Sequence, residues 1–181
     1  MKIEDGKGSG RFASVSGVQR LNVSSKTAPR VFYISRDDGE AYNWTSSFSA
    51  GTGNEIVYIR NNSTTKKLII ESLAVGGVLT GLFEIFECTG TAGGTPITGK
   101  NINLSSNNEA DATSYGNASV TGLVIGDRIG LTRTAATSSN IIIQNGALQL
   151  SFNDAICVTY TGSTGIVDCV VRAYFEDTSK Q

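Results

Sequence analysis

Residues 55–88, EIVYIRNNSTTKKLIIESLAVGGVLTGLFEIFEC, constrain this chain more than any other stretch. Runs at 55–60, 67–75 and 79–88 are dense in apolar residues. They are separated by Asn-Asn-Ser-Thr-Thr (61–65) and by Gly76-Gly77. Short apolar runs between turn signals read as β-strands. Taken as a meander, three such strands cannot close their own apolar face, so a second sheet must pack on them.

Side-chain phase adds a second constraint. Val57 and Ile59 alternate with Ile56 and Tyr58, so this strand is apolar on both faces. Leu68 and Ile70 oppose Ile69, Leu73 and Val75, with Glu71 as the polar break. Leu82, Phe86 and Cys88 share a phase with Glu84, while Phe83 and Ile85 share one with Glu87. Strands of this kind sit inside a covered sheet or bury one face against another subunit. A neighbouring subunit would cover the second face, and so would a long loop folding back over it.

The remainder of 31–181 has the same texture. A strand is expected at 31–35, then a turn at 36–40 in which Gly39 supplies a positive φ. The next strand, 41–48, sets Tyr42, Trp44 and Phe48 in one phase. Residues 89–114 read as a long polar insertion with a short strand at 97–104, and loops of that length are functional or flexible. Hairpins are expected about Gly126-Asp127, joining 118–125 to 128–133, and about Asn145-Gly146, joining 140–144 to 147–152. Strands at 155–161 and 166–175 close the chain. In the last, Val167, Cys169, Val171, Ala173 and Phe175 alternate with Asp168, Val170, Arg172 and Tyr174. Ten or so short strands with no amphipathic helix predict an all-β fold, an antiparallel β-sandwich or jelly roll.

Residues 1–30 are different. Gly6, Gly8, Gly10 and Gly17 break regular structure, and isolated apolar residues such as Ile3, Phe12, Val15, Leu21 and Val23 follow no helical stripe. The expectation is an extended N-terminal arm ahead of a body at 31–181, with Pro29 at the boundary. Lys and Arg outnumber Asp and Glu by six to two in the arm. With a total of −1, the rest carries −5. A weakly basic arm on a weakly acidic body suits docking to an acidic surface as well as simple solvation. So small a net charge disfavours a broad nucleic-acid-binding face.

The chemistry that the composition excludes is as informative. The chain has no histidine, which removes the commonest general base, the usual zinc ligand and every Ser-His or Cys-His pair. Cys88, Cys157 and Cys169 lack paired spacing, so neither a disulfide framework nor a zinc site is expected and a reducing compartment fits best. Asp37, Asp38 and Glu40 cluster in one turn, a pattern also conceivable for calcium, but turn acids are simply solvated more often. Glu84 and Glu87 point to opposite faces of a strand and cannot act together. Tyr42, Trp44 and Tyr58 would suit a sugar-stacking platform, yet their alternating phase favours core. No catalytic, cofactor-binding or metal-ligating residue is expected, so the chain reads as a non-enzyme. No signal peptide or membrane span is visible.

Three further features carry a resemblance. Ile-Glu-Asp-Gly-Lys-Gly-Ser-Gly-Arg (3–11) leads an apolar-dotted arm, Asp-Asp-Gly-Glu-Ala-Tyr-Asn (37–43) makes a turn, and Val-Tyr-Ile-Arg-Asn-Asn-Ser (57–63) precedes Lys-Leu-Ile-Ile-Glu-Ser (67–72). This layout resembles small virion structural proteins of tailed bacteriophages, most of all capsid decoration (cement) proteins. The resemblance implies a jelly-roll body, often a homotrimer, seated on the outer shell where major capsid proteins meet. It implies a virion location after assembly in the bacterial cytoplasm, with no cofactor, nucleic acid or membrane as partner. The arm would contact the capsid through Ile3, Arg11, Phe12, Val15, Arg20, Leu21 and Val23. A receptor- or glycan-binding tail or fibre tip, with its ligand on the loops at 89–115, and a head–tail neck component are the alternatives.

Overall fold

A computed structural model describes residues 34–178 and three short N-terminal strands, β1 (Lys2–Glu4), β2 (Phe12–Val15) and β3 (Leu21–Asn22). Side chains of these strands and of 36, 37, 117–121 and 144–147 lie outside that description. The three short strands pair antiparallel in the order β1-β2-β3.

The body is built from β4 (Ala41–Ala50), β5 (Asn54–Asn61), β6 (Lys66–Gly77), β7 (Gly81–Pro96), β8 (Lys100–Asn101), β9 (Ala112–Thr134), β10 (Ser138–Leu150), β11 (Ala155–Gly162) and β12 (Gly165–Asp177). One sheet has the order β10-β6-β12-β4-β8, and the second is a closed ring of β11, β5, β9 and β7. Apart from β8, the pairings are nested. β4 lies against β12, β5 against β11, β6 against β10 and β7 against β9. The body is therefore one long hairpin rolled on itself, which brings β12 beside β6 and β11 beside β7. This is the antiparallel β-sandwich in jelly-roll order that the strand spacing predicts.

The order corrects the meander. β5 and β7 belong to the ring sheet but are separated by β11, and β6 lies in the opposite sheet. Each connection crosses the core, so the second sheet that covers these strands is partly built from them. Asn61 makes the first crossing possible. Fully buried, its Nδ2 donates to the carbonyls of Lys66 and Leu150, each at 2.9 Å, while its Oδ1 accepts from the Ser63 amide at 2.9 Å. A buried amide satisfied on both ends holds a turn that apolar packing alone would leave with orphan carbonyls.

Between the sheets lies the main core, including Tyr42, Trp44, Ile59, Leu73, Phe83 and Val171. Two bulges explain the double-sided patterns. Ile70 faces Ala173 and Ser72 faces Arg172, which leaves Glu71 unopposed. The phase flips there, so Leu68 and Ile70 before the bulge and Leu73 and Val75 after it all point inward. Likewise Val57 faces Val158 and Glu55 faces Thr159, so Ile56 is the extra residue and it too reaches the main core.

The apolar residues left outside are covered by the chain itself. Tyr58, Cys88, Ala155 and Cys157 form a second small core with Phe86, Ala92, Tyr115 and Leu123. Its roof is a ribbon in which the far half of β7 pairs with β9, as in Gly90 with Leu123 and Pro96 with Tyr115. Tyr115 pairs Tyr58 at the same time, and this closes the ring. Gly90 and Gly122 take φ values of +91° and +79° within the ribbon, a conformation that favours residues without Cβ. On the other sheet, Ile34 caps Ala41, Ile69 and Tyr174. The loop folding back, rather than a neighbouring subunit, therefore covers the doubly apolar strands.

Several local expectations are corrected. Ile34–Asp38 is a single π-helical turn rather than the end of a strand, and 31–33 lie outside the described residues. Gly39 does take a positive φ, +63°. Gly126-Asp127 is a bulge against Glu87 inside β9, since Phe86 faces Arg128 and Cys88 faces Ile125. Asn145-Gly146 falls in an irregular stretch of β10, where Gln144 faces Ser72 and Leu148 faces Ile70. Both turn signals were outcompeted by a partner strand running past them. The insertion at 89–114 shrinks to a loop at 97–111, with β8 as the remnant of its expected strand.

Candidate functional site

The loop at 97–111 is tied down on the π turn. Asn101 Nδ2 donates to the Gly39 carbonyl at 2.7 Å, Asn103 Nδ2 to Ser35 at 3.0 Å, and Asn108 Nδ2 to Asp38 at 3.1 Å. From below, Tyr42 donates to the Glu109 carbonyl at 3.1 Å. Trp44 Nε1 donates to Ser114 Oγ at 3.0 Å, and Ser114 donates on to the Ile97 carbonyl at 2.6 Å. The asparagines of this stretch thus serve turn carbonyls that have no ladder partner. Beside the π turn lies a cleft of about 320 Å³ with Asp38, Glu40, Lys66, Glu176 and Asp177 on its walls. Glu40 pairs with Lys66 at 2.8 Å. The Asp37 side chain lies outside the described residues, so the expected acid cluster reduces there to Asp38 and Glu40. Among the described residues, no group of three or more Cys, Asp or Glu is arranged to hold a metal ion.

The other acids and aromatics fall as their strand phases predict. Glu84 pairs with Arg128 at 2.7 Å, whereas Glu87 is exposed. Tyr42 and Trp44 are buried in the main core and Tyr58 in the small one, so no aromatic platform forms. Burial first, and then the Glu40 carboxylate, pushes the Tyr42 hydroxyl up to about 12. Burial also raises Tyr58, against a smaller lowering by Arg60.

All three cysteines are free and buried. Cys88 and Cys157 share the small core, and a hydrogen bond between them lowers the Cys88 thiol and, with burial, raises that of Cys157. Burial, and then the neighbouring Asp168, pushes Cys169 up to about 12. Inaccessible thiols behave as small hydrophobes rather than nucleophiles.

Of the predicted arm residues, Ile3 lies in β1, Phe12 and Val15 in β2 and Leu21 in β3. Ile3 faces Ala13, and Val15 faces Leu21 across the pairing. Arg11, Arg20 and Val23 lie outside the described residues.

A surface that strand phase alone did not single out is the outer face of the sheet containing β12. Val170 points outward, 41% exposed, and the register sets it in one row with Ala74 and Ile141, the latter 53% exposed. A signal was present: Val170 is apolar in the outward phase of the cleanest alternating strand. No helix among the described residues is long and apolar enough to cross a membrane. No protein-family model matches the chain, and no curated protein is significantly similar to it.

Proposed function

We propose that this protein is a non-enzymatic structural component of a tailed-phage virion, binding the outside of the capsid and stabilising the shell. The observation that carries the reading is the nested jelly-roll body. Its crossings between sheets and its closed ring make a stiff block with few free strand edges, suited to bracing a lattice. The N-terminal arm, laid over neighbouring capsid subunits, would supply many weak contacts, and threefold repetition in a trimer would multiply them into avidity. The fibre-tip reading draws less support, because the asparagine amides that a glycan would use at 101, 103 and 108 already bind the π turn.

Cosedimentation with phage shells assembled without this protein tests the proposal. The full chain should pellet with shells and raise their resistance to heat. Deleting residues 1–25 should leave a folded body that no longer pellets. A full chain that stays in the supernatant defeats the reading. Unchanged binding after the deletion defeats the arm's part in it.

A further inference from the structure

The two ends of the sandwich differ in charge. At one end lie four turns with the strand ends that lead into them, 49–54, 76–81, 134–139 and 161–166. The register brings them together: Gly165 faces Ala50, Ser138 faces Gly77, and Gly81 faces both Gly162 and Thr134. Their sequences, SAGTGN, GGVLTG, TAATSS and TGSTGI, contain no Asp, Glu, Lys or Arg. Glu55, Arg133 and Asp168 are the nearest charges along the chain. The opposite end, formed by 34–40, 61–67, 97–111, 151–154 and 175–178, holds four Lys or Arg and eight Asp or Glu, a balance of −4. The uncharged end is also tied together. Thr52 Oγ1 donates to the Gly162 carbonyl at 2.8 Å, the Val78 amide to that of Ile166 at 3.1 Å, and the Thr137 amide to that of Gly77 at 3.0 Å. Thr137 takes a φ of +57°, strained for a β-branched residue, so its neighbours hold the turn in shape.

Such an end can be buried without desolvating an ion, and its short Gly, Ala, Ser and Thr side chains lose little freedom. Val78, Leu79 and Ile166, all exposed, supply apolar area. Twenty of the 24 residues are at least partly exposed, the scale of the roughly 20–30 residues a side in a stable interface. We infer that this end pairs with the same end of a second copy, about a twofold axis. Charge selects a copy as the occupant. A charged partner surface would lose its hydration and find no counter-ion here. Two copies meeting through their other ends would set acids against acids. End-to-end pairing instead places the acidic ends farthest apart. A strand of ten residues spans about 34 Å, several times the screening length of about 8 Å, so their repulsion is screened. The chain enters the body at Ile34, which packs on Ala41 and Tyr174 at the charged end, so the pair leaves that entry clear. The inference stands apart from the virion reading.

Sedimentation mass of the full chain, compared with Val78→Lys and Ala136→Glu, tests this. Both side chains are exposed at the turns, so the variants should keep the wild-type melting curve. The wild type should be a dimer, and added salt should barely change its dissociation constant, because no charge pair holds it. Each substitution puts a like charge on both sides of the contact and should weaken the dimer roughly tenfold or more. A monomer or a trimer overturns the inference. So does a dimer that salt takes apart, or one that either variant leaves intact. A monomeric wild type that loses shell binding on Val78→Lys overturns it as well, since the end then belongs to the shell. A dimer that ignores shells defeats only the capsid reading.

Discussion

The outer faces of the two sheets were treated in opposite ways. On the ring sheet, Tyr58, Cys88 and Cys157 project outward and the chain extends β7 and β9 into a ribbon that roofs them. On the other sheet, Ile34 covers one end around Ile69 and Tyr174, while Val170, Ile166 and Ile141 stay exposed. The difference lies in what is left outside. Two thiols and a tyrosine ring are large and soft enough to make a core of their own. Short serines and threonines around a few β-branched residues make a flat surface instead. Part of one face thereby became interior, with Leu131 beside Glu84 still exposed on it, and the other was left without a roof over its middle.

Mutation should expose that contrast, and the steepest loss is expected on the roofed side. Tyr58→Ala empties the small core and should cost about 3–5 kcal/mol in chemical denaturation. Hydrogen exchange should show the ribbon at 89–96 and 122–125 opening before the main core does. If the ribbon amides stay protected, the roof does not rest on Tyr58.

Next comes the ribbon backbone. Gly122→Ala places a Cβ against the Thr91 carbonyl at a positive φ, and should cost about 1–3 kcal/mol. A neutral result would mean that the ribbon can repack without its glycine.

Alkaline pH sharpens the comparison from the inside. Cys169, just beneath the open face, has its thiol raised from 9.0 to about 12 by burial. The folded state holds its proton where the unfolded state releases it. The associated stability is therefore intact below pH 9 and is lost as pH rises toward 12, by up to about 1.4 kcal/mol per unit. Tyr42, raised from 10.0 to about 12, adds to the same slope at higher pH. Cys169→Ala should flatten the fall in urea midpoint between pH 9 and 10, before Tyr42 contributes. An unchanged slope would assign the alkaline loss elsewhere.

Smaller still is the half-exposed ion pair on the ring sheet. Glu84→Gln should cost no more than about 1 kcal/mol, and less in high salt, because Arg128 is largely solvated. Least of all, Val170→Ser on the open face should change the stability of the isolated subunit by within about 0.5 kcal/mol. A large loss there would mean that the face is already covered within one copy.

Much of this architecture could be read from residue order. The phases of 41–48 and 166–175 predict which side chains meet the core, and Tyr42, Trp44, Val167, Val171 and Phe175 all do so. The turn signals were less dependable. Asn145-Gly146 and Gly126-Asp127 are strong local turn formers, yet each bulges out of a strand that continues past it, because β6 or β7 offers ladder partners on both sides. Asn61 looked like one more turn residue, and its buried bridge from Lys66 to Leu150 involves a strand 89 positions away. The open outer face was half legible: Val170 in the outward phase hinted at it, but Ile141 and Ala74 join it only through register.

Alternating apolar residues and the density of turn formers determined by themselves that this chain is a β-sandwich, and its composition that it has no histidine. These are local properties, set by side-chain period and chemical type. Which strand pairs with which, where bulges reverse a phase, and which outer face is roofed were decided only in three dimensions. Those choices depend on contacts between residues far apart in the chain, and no local propensity encodes the entropy and packing that select among them.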